Sequence, residues 1–146
     1  MNQLDFKITD SEWEVMRVVW ANEKITSKEI IDVLQQKIDW GTATIKTFIG
    51  RLVKKGMIET EKQGNKFIYS PKIKERDFIA STLDDIFNNI CNKDVGNTIV
   101  DLIEKSILSI DDIKNIEKVL EMKKEHAVDE VPCNCSPGQC HCQIAS

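Results

Sequence analysis

The sequence predicts a mainly α protein: three helices and a β-hairpin, then an acidic second set of helices, then a cysteine-rich tail. Three observations carry this. Two hydroxyl-x-x-Glu capping boxes, Thr9–Glu12 and Thr26–Glu29, each open an apolar-periodic run. A third run, Gly41 to Gly56, places Ile45, Phe48, Ile49, Leu52 and Val53 on one helical stripe, and a Gly64-Asn65 hairpin signal follows it. Four of the five cysteines fall within residues 133–142.

The first helix starts after Thr9, with Glu12 returning the capping bond and Ile8 and Trp13 placed as a hydrophobic staple. It is expected to run to about Ala21 and to bury Trp13, Met16, Val19 and Trp20. The second repeats the device: Thr26 caps, Glu29 returns the bond, and Ile25 staples to Ile30. It carries Ile30, Ile31, Leu34 and Ile38 and is expected to end near Lys37, with Trp40-Gly41 as the turn.

The third helix has two unlike faces. Opposite its apolar stripe lie Ala43, Lys46, Thr47, Gly50 and Lys54, flanked by Thr44, Arg51 and Lys55. That face has short hydroxyls, cations and small residues and no acid, in a chain of net charge −4. Residues 41–70 carry six cations against Glu59 and Glu61, whereas residues 71–146 carry nine against fourteen carboxylates. A local basic patch on an acidic chain suits a focused contact with an anion. Gly56 is placed to end this helix in the left-handed region. The run from Met57 to Ser70 reads as a hairpin turned by Gly64-Asn65. Three helices and a hairpin form the order of a winged helix-turn-helix, whose third helix lies in a DNA major groove. Lys62 and Lys66 flank the hairpin tip, where they either reach phosphates or stand as solvated charges.

Beyond Pro71 the chain turns acidic and helical. Helices are expected over roughly Glu75–Cys91, with Ile79, Leu83, Ile86, Phe87 and Ile90, over Val95–Ile107, and from an N-cap at Ser109 to about His126. The last two carry Ile99, Leu102, Ile103, Ile113, Ile116, Val119 and Leu120. Such helices are too few to enclose a core, so their stripes are expected to pack on a second copy, making a homodimer. Cys91 reads as a small core residue of the first of these helices, not a metal ligand.

The tail reads Cys133-x-Cys135-x4-Cys140-x-Cys142, with Pro137-Gly138 as a turn that folds the two pairs together. The N-terminus lacks a secretion signal and no window is long and apolar enough to span a bilayer, so a cytoplasmic, thiol-reducing setting without membrane contact is expected. There, four convergent thiolates are soft ligands for Cu(I) and also suit tetrahedral Zn(II). His141 is a neighbour of the site. No other His, Cys, Asp or Glu arrangement suggests catalysis, and the only histidines are His126 and His141, so the chain is not expected to be an enzyme.

With Ser11–Met16, Trp20, Ala43–Thr47, Gly50–Gly56 and the cysteine spacing in view, the chain resembles the CopY-type copper-responsive repressors, the copper branch of the penicillinase-repressor (BlaI/MecI) family. The resemblance implies a winged-helix domain over residues 1–71, a helical dimerisation domain over 72–128 and a metal-binding cysteine hook over 129–146. It implies an inverted-repeat operator with TACA and TGTA half-sites upstream of copper-transport genes. It further implies that Zn(II) on the hook supports the DNA-bound form and that Cu(I), delivered by a copper chaperone, releases it. On this chain the implied ligands are Cys133, Cys135, Cys140 and Cys142. The implied base readers are Thr44, Lys46, Thr47 and Arg51, with Lys54, Lys62 and Lys66 on phosphates. The penicillinase branch is induced by cleavage at an Asn-Phe bond; this chain has none, only Phe87-Asn88. The competing readings are a metal-independent winged-helix repressor and a copper buffer or chaperone.

Overall fold

The computed structural model describes residues 7–142. Residues 1–6, on which the expected absence of a secretion signal rests, and 143–146, the end of the hook segment, lie outside it. The chain divides into two compact units, Met1–Thr82 and Leu83–Ser146.

The first unit is the expected winged helix. Helix α1 (Asp10–Asn22) opens on a complete capping box: Thr9 Oγ1 accepts from the Glu12 amide at 3.1 Å, and Glu12 Oε1 accepts from the Thr9 amide at 2.9 Å. A two-residue strand β1 (Ile25–Thr26) precedes α2 (Ser27–Gln35), whose box at Thr26 and Glu29 closes at 3.2 and 3.0 Å. Each box is worth about 1 kcal/mol. Helix α2 stops at Gln35, short of Lys37, because the Lys37 and Ile38 amides both turn back to the Leu34 carbonyl.

Helix α3 (Thr42–Lys54) ends as expected. Gly56 sits at φ 82, and the Met57 amide reaches the Leu52 carbonyl at 3.0 Å, the bond of a Schellman motif. Strands β2 (Ile58–Gln63) and β3 (Lys66–Pro71) form the hairpin, with Gly64 at φ 64 in its turn. The sheet has a third strand that the sequence reading omits. Ile25 and Thr26 pair with Tyr69 and Ile68, giving the order β1-β3-β2. Two residues are too few to show a period, and Thr26 is at once a strand residue and the cap of α2.

The core holds Val15, Met16, Val19, Ile30, Leu34, Ile45, Leu52, Met57 and Ile58. Helix α1 differs from expectation: it buries Val15 and Val18 beside Met16 and Val19, while Trp13 and Trp20 are only partly covered. The two indoles close over Phe78 at centroid distances of 5.0 and 5.7 Å, and Trp20 Nε1 donates to the Ile73 carbonyl at 2.9 Å. An indole N–H needs such a partner when covered. Ile73 and Phe78 are therefore core residues, and the packed unit continues past Pro71 into α4 (Glu75–Asn88).

Lys55, which the sequence places beside the basic face, turns its side chain to the fold instead. Its Nζ lies 2.6 Å from Glu12 Oε1, and Glu12 is 1% exposed. Burial pushes the Glu12 carboxyl up, but bonds from Lys55 and Thr9 outweigh it and leave it below its usual 4.5. Its Oε2 is buried without a partner. Lys55→Met strands that carboxylate and is expected to cost about 2–4 kcal/mol in urea unfolding. A depressed carboxyl stabilises above its ordinary value and loses that contribution as pH falls through the folded one. Without Lys55 the benefit is gone, so the gap between the two proteins should narrow below about pH 4.5.

In the second unit, a 3-10 turn (Asn92–Asp94) leads into α5 (Val95–Lys105) and then α6 (Ile110–Lys124). Ser109 caps α6 as expected, in a box with Asp112 at 3.0 Å each way. The helix expected to reach Cys91 ends at Asn88, and α5 ends at Lys105 before Ile107. Ile99, Leu102, Ile103, Ile113, Val119 and Leu120 are 37–56% exposed, and Ile116 is half-buried. No helix among the described residues is long and apolar enough to cross a membrane.

Candidate nucleic-acid interface and thiol cluster

Helix α3 buries Ile45, Ile49 and Leu52 and exposes Thr44, Lys46, Thr47, Arg51 and Lys54 together on the opposite side. No acid stands in its first turn, and Arg51 and Lys54 close its last. The Thr47 hydroxyl donates to the Ala43 carbonyl at 3.0 Å, which leaves its methyl and oxygen lone pairs toward solvent.

The hairpin register separates the two wing lysines. Lys62 pairs with Phe67 and Thr60 with Tyr69, while Lys66 pairs with Gln63. Cross-strand partners share a face and neighbours alternate, so Lys62 and Lys66 project to opposite sides. The Lys62 side is the one carrying Thr60, Phe67 and Tyr69, which line an open cleft with Lys46, Gly50 and Val53 of α3. Lys66 stands toward α2, near enough to help Thr26 hold the Glu29 carboxyl below its usual value. With Lys55 engaged by Glu12, the cationic surface shared by α3 and the wing is Lys46, Arg51, Lys54 and Lys62.

The tail folds as its Pro-Gly predicts. The Gln139 amide donates to the Ser136 carbonyl at 3.0 Å with Gly138 at φ 93, the geometry of a type II turn. This brings Cys133 and Cys140 sulfurs to 3.3 Å. A fifth thiol joins them. Cys91 Sγ lies 3.6 Å from Cys133 Sγ and 3.5 Å from Cys142 Sγ, and the sulfurs of Cys91, Cys133, Cys135 and Cys140 all lie within 4.8 Å of one another. Cys91 is buried as expected, but it does not lie on the preceding helix. It follows the end of α4, caps the 3-10 turn, and is buried among thiols. Its sequence separation from the tail hides this; only its being the fifth cysteine could have raised it. His141 is exposed and outside the cluster.

The Cys135 amide, donating to Cys133 Sγ at 3.4 Å, and the Cys140 thiol pull the Cys133 thiol down to about 6. The Cys91 and Cys140 thiols hold Cys142 in its neutral form, up to about 12, and burial raises Cys135. Four thiols in this spacing suit a soft or borderline cation: the sulfurs of Cys91, Cys133, Cys135 and Cys140 lie within 4.8 Å of one another, against the roughly 3.8 Å edge of a tetrahedron with metal–sulfur bonds of about 2.3 Å.

A family model described as Penicillinase repressor matches residues 8–122. The Penicillinase repressor of Bacillus licheniformis is 33% identical over 118 residues, covering 81% of this chain and 92% of that protein. The chain belongs to the penicillinase-repressor family. Proteins of this family repress transcription and are not enzymes. The repressor is also 42% identical over 137 residues to an uncharacterized 16.5 kDa protein of Latilactobacillus sakei, covering 94% of each. Among solved structures, one titled CopR Repressor Structure is 43% identical and covers 47% of this chain and 100% of its own, with a TM-score of 0.41. The family match ends at residue 122, so it does not reach Cys133 and the tail must be read on its own chemistry.

Proposed function

We propose that this repressor responds to copper: it binds an inverted-repeat operator as a homodimer in its zinc form and lets go when Cu(I) occupies the cysteine hook. The observation that carries the copper half is the convergence of the Cys133, Cys135 and Cys140 sulfurs, with Cys142 at their edge. Thiolate-only sites select Cu(I) and Zn(II) over hard cations, and a saturated one leaves no open position for catalysis. The absence of an Asn-Phe bond favours a metal signal over proteolytic induction. In this reading residues 1–71 carry the DNA contacts, 72–128 the dimer and 129–146 the hook.

The test is operator binding by fluorescence anisotropy, comparing zinc-loaded and Cu(I)-loaded protein at one salt concentration. Weaker binding by the Cu(I) form is expected. Equal binding by the two would leave a metal-independent repressor.

On the DNA side, Thr44, Lys46, Thr47 and Arg51 read bases, and Lys54 and Lys62 hold phosphates. Arg51→Ala is expected to weaken operator binding by about 1–3 kcal/mol and relax preference at one base. Lys62→Ala should weaken binding to all duplexes alike and lower the salt slope by about one. Lys66→Ala should do less than Lys62→Ala, because its side of the hairpin faces away from α3. An equal loss from both would place the duplex elsewhere on the wing.

A further inference from the structure

We propose that Cys91 is a metal-ligating thiol, the fourth beside Cys133, Cys135 and Cys140, and that through it the metal held by the hook acts on α5. This rests on the hook binding metal, as proposed above. The set of sulfurs lying mutually within 4.8 Å is Cys91, Cys133, Cys135 and Cys140; Cys142 is not in it and instead touches Cys91 at 3.5 Å. The tail therefore supplies three members of the tight set, and the turn before α5 supplies the fourth. Cys91 is 6% exposed, yet it is not part of the apolar core cluster.

Two further contacts bind the tail to the same turn. The Asn92 amide donates to Asn134 Oδ1 at 2.9 Å, and Lys93 Nζ lies 2.6 Å from Glu130 Oε1. Three consecutive residues, 91–93, are thus clamped by the 130–142 segment. Helix α5 begins one residue beyond them, after Asp94, at Val95 and presents Ile99, Leu102 and Ile103. Each thiol that ligates gives its proton to solvent, and the bond then fixes where its backbone can stand. Tetrahedral coordination engages four sulfurs at once, whereas Cu(I) is satisfied by fewer per ion. A change of metal thereby changes the hold on Cys91 and on the first turn of α5, with no other part of the helical segment needing to touch metal.

The experiment is an anaerobic Co(II) titration of the full reduced chain, reading thiolate-to-cobalt charge-transfer absorbance per bound ion. Four proteins are compared: wild type, Cys142→Ser, Cys91→Ser/Cys142→Ser, and Cys133→Ser/Cys135→Ser. Cys142→Ser is expected to keep the wild-type intensity, because Cys91 completes the set. The Cys91→Ser/Cys142→Ser protein should lose about a quarter, the change from four thiolates to three. The Cys133→Ser/Cys135→Ser protein should lose more. If Cys142→Ser already falls to the level of Cys91→Ser/Cys142→Ser, or if that double variant matches wild type, Cys91 is no ligand and the hook reading stands without it. A wild-type chain with no charge-transfer band would sink the hook reading itself.

Discussion

Exchanging Leu102 and Leu120 together for aspartate is expected to leave a folded monomer that binds an inverted-repeat operator at least about a hundredfold more weakly. The two residues are 40% and 50% exposed on α5 and α6, amid Ile99, Ile103, Ile113 and Val119, which are likewise uncovered. Apolar surface in this quantity, repeated along two amphipathic helices, is worth about 25 cal/mol per Å² once a second copy removes it from water. An aspartate at each position forces a carboxylate into that contact, at a cost far above the loss of the methyl groups alone. The winged-helix core contains neither residue, so its own fold should be untouched. Operator affinity falls because two linked α3 helices bind two half-sites with an effective concentration that single copies lack. The measurement pairs equilibrium sedimentation with anisotropy on a full operator and on one half-site. A variant that still dimerises, or that loses half-site affinity as severely as operator affinity, would remove these helices from the dimer.

What the sequence discloses here follows the range of each interaction. The capping boxes at Thr9 and Thr26 and the N-cap at Ser109 act across three residues, and each is present where the sequence places it. The Gly56 stop, the Gly64 turn and the Pro137-Gly138 turn are equally local, since each rests on a backbone angle that few residues accept. The face of α3 is a matter of period, and it emerges with Ile45, Ile49 and Leu52 inside and the cations outside. Long-range partners are another matter. The Lys55–Glu12 pair joins residues far apart, and Glu12 is fully explained locally by its box, so nothing points to a second role. The Trp20 bond to Ile73 carries the core past Pro71 although a proline there reads as a boundary. The side of the wing on which Lys66 lies depends on register, which one residue of slip inverts. Cys91 is the strongest case. Helical spacing assigns it to an apolar stripe, whereas α4 stops at Asn88, where the Asn89 amide donates to the Ile86 carbonyl at 3.1 Å, and Cys91 meets the tail.

Replacing Cys133 and Cys135 together by serine is expected to erase the copper response, so that operator binding no longer changes when Cu(I) is added. Allosteric couplings of this type are worth about 1–3 kcal/mol, so Cu(I) should weaken operator binding of the wild type about 5- to 150-fold, and of the variant not at all. Charge alone cannot produce that effect. Four thiolates carry the same net charge with one Zn(II) as with two Cu(I), so phosphate meets the same tail in either state. The difference must lie in where the sulfurs are held. Cys133 is the residue best placed to transmit it, since it contacts Cys91, Cys140 and the Cys135 amide at once. Removing it with Cys135 takes two sulfurs out of the cluster that meets the turn before α5, so too few thiols remain to hold zinc and copper in different arrangements. Binding free energies are reciprocal, so operator DNA should in turn lower the affinity of the wild-type hook for Cu(I) by the same factor, and in the serine variant should not alter it. Both halves are read at fixed salt, by anisotropy and by chelator competition for Cu(I). A serine variant that still releases DNA on Cu(I) addition would place the sensor outside the hook, and a wild type whose Cu(I) affinity ignores DNA would break the link between the two units.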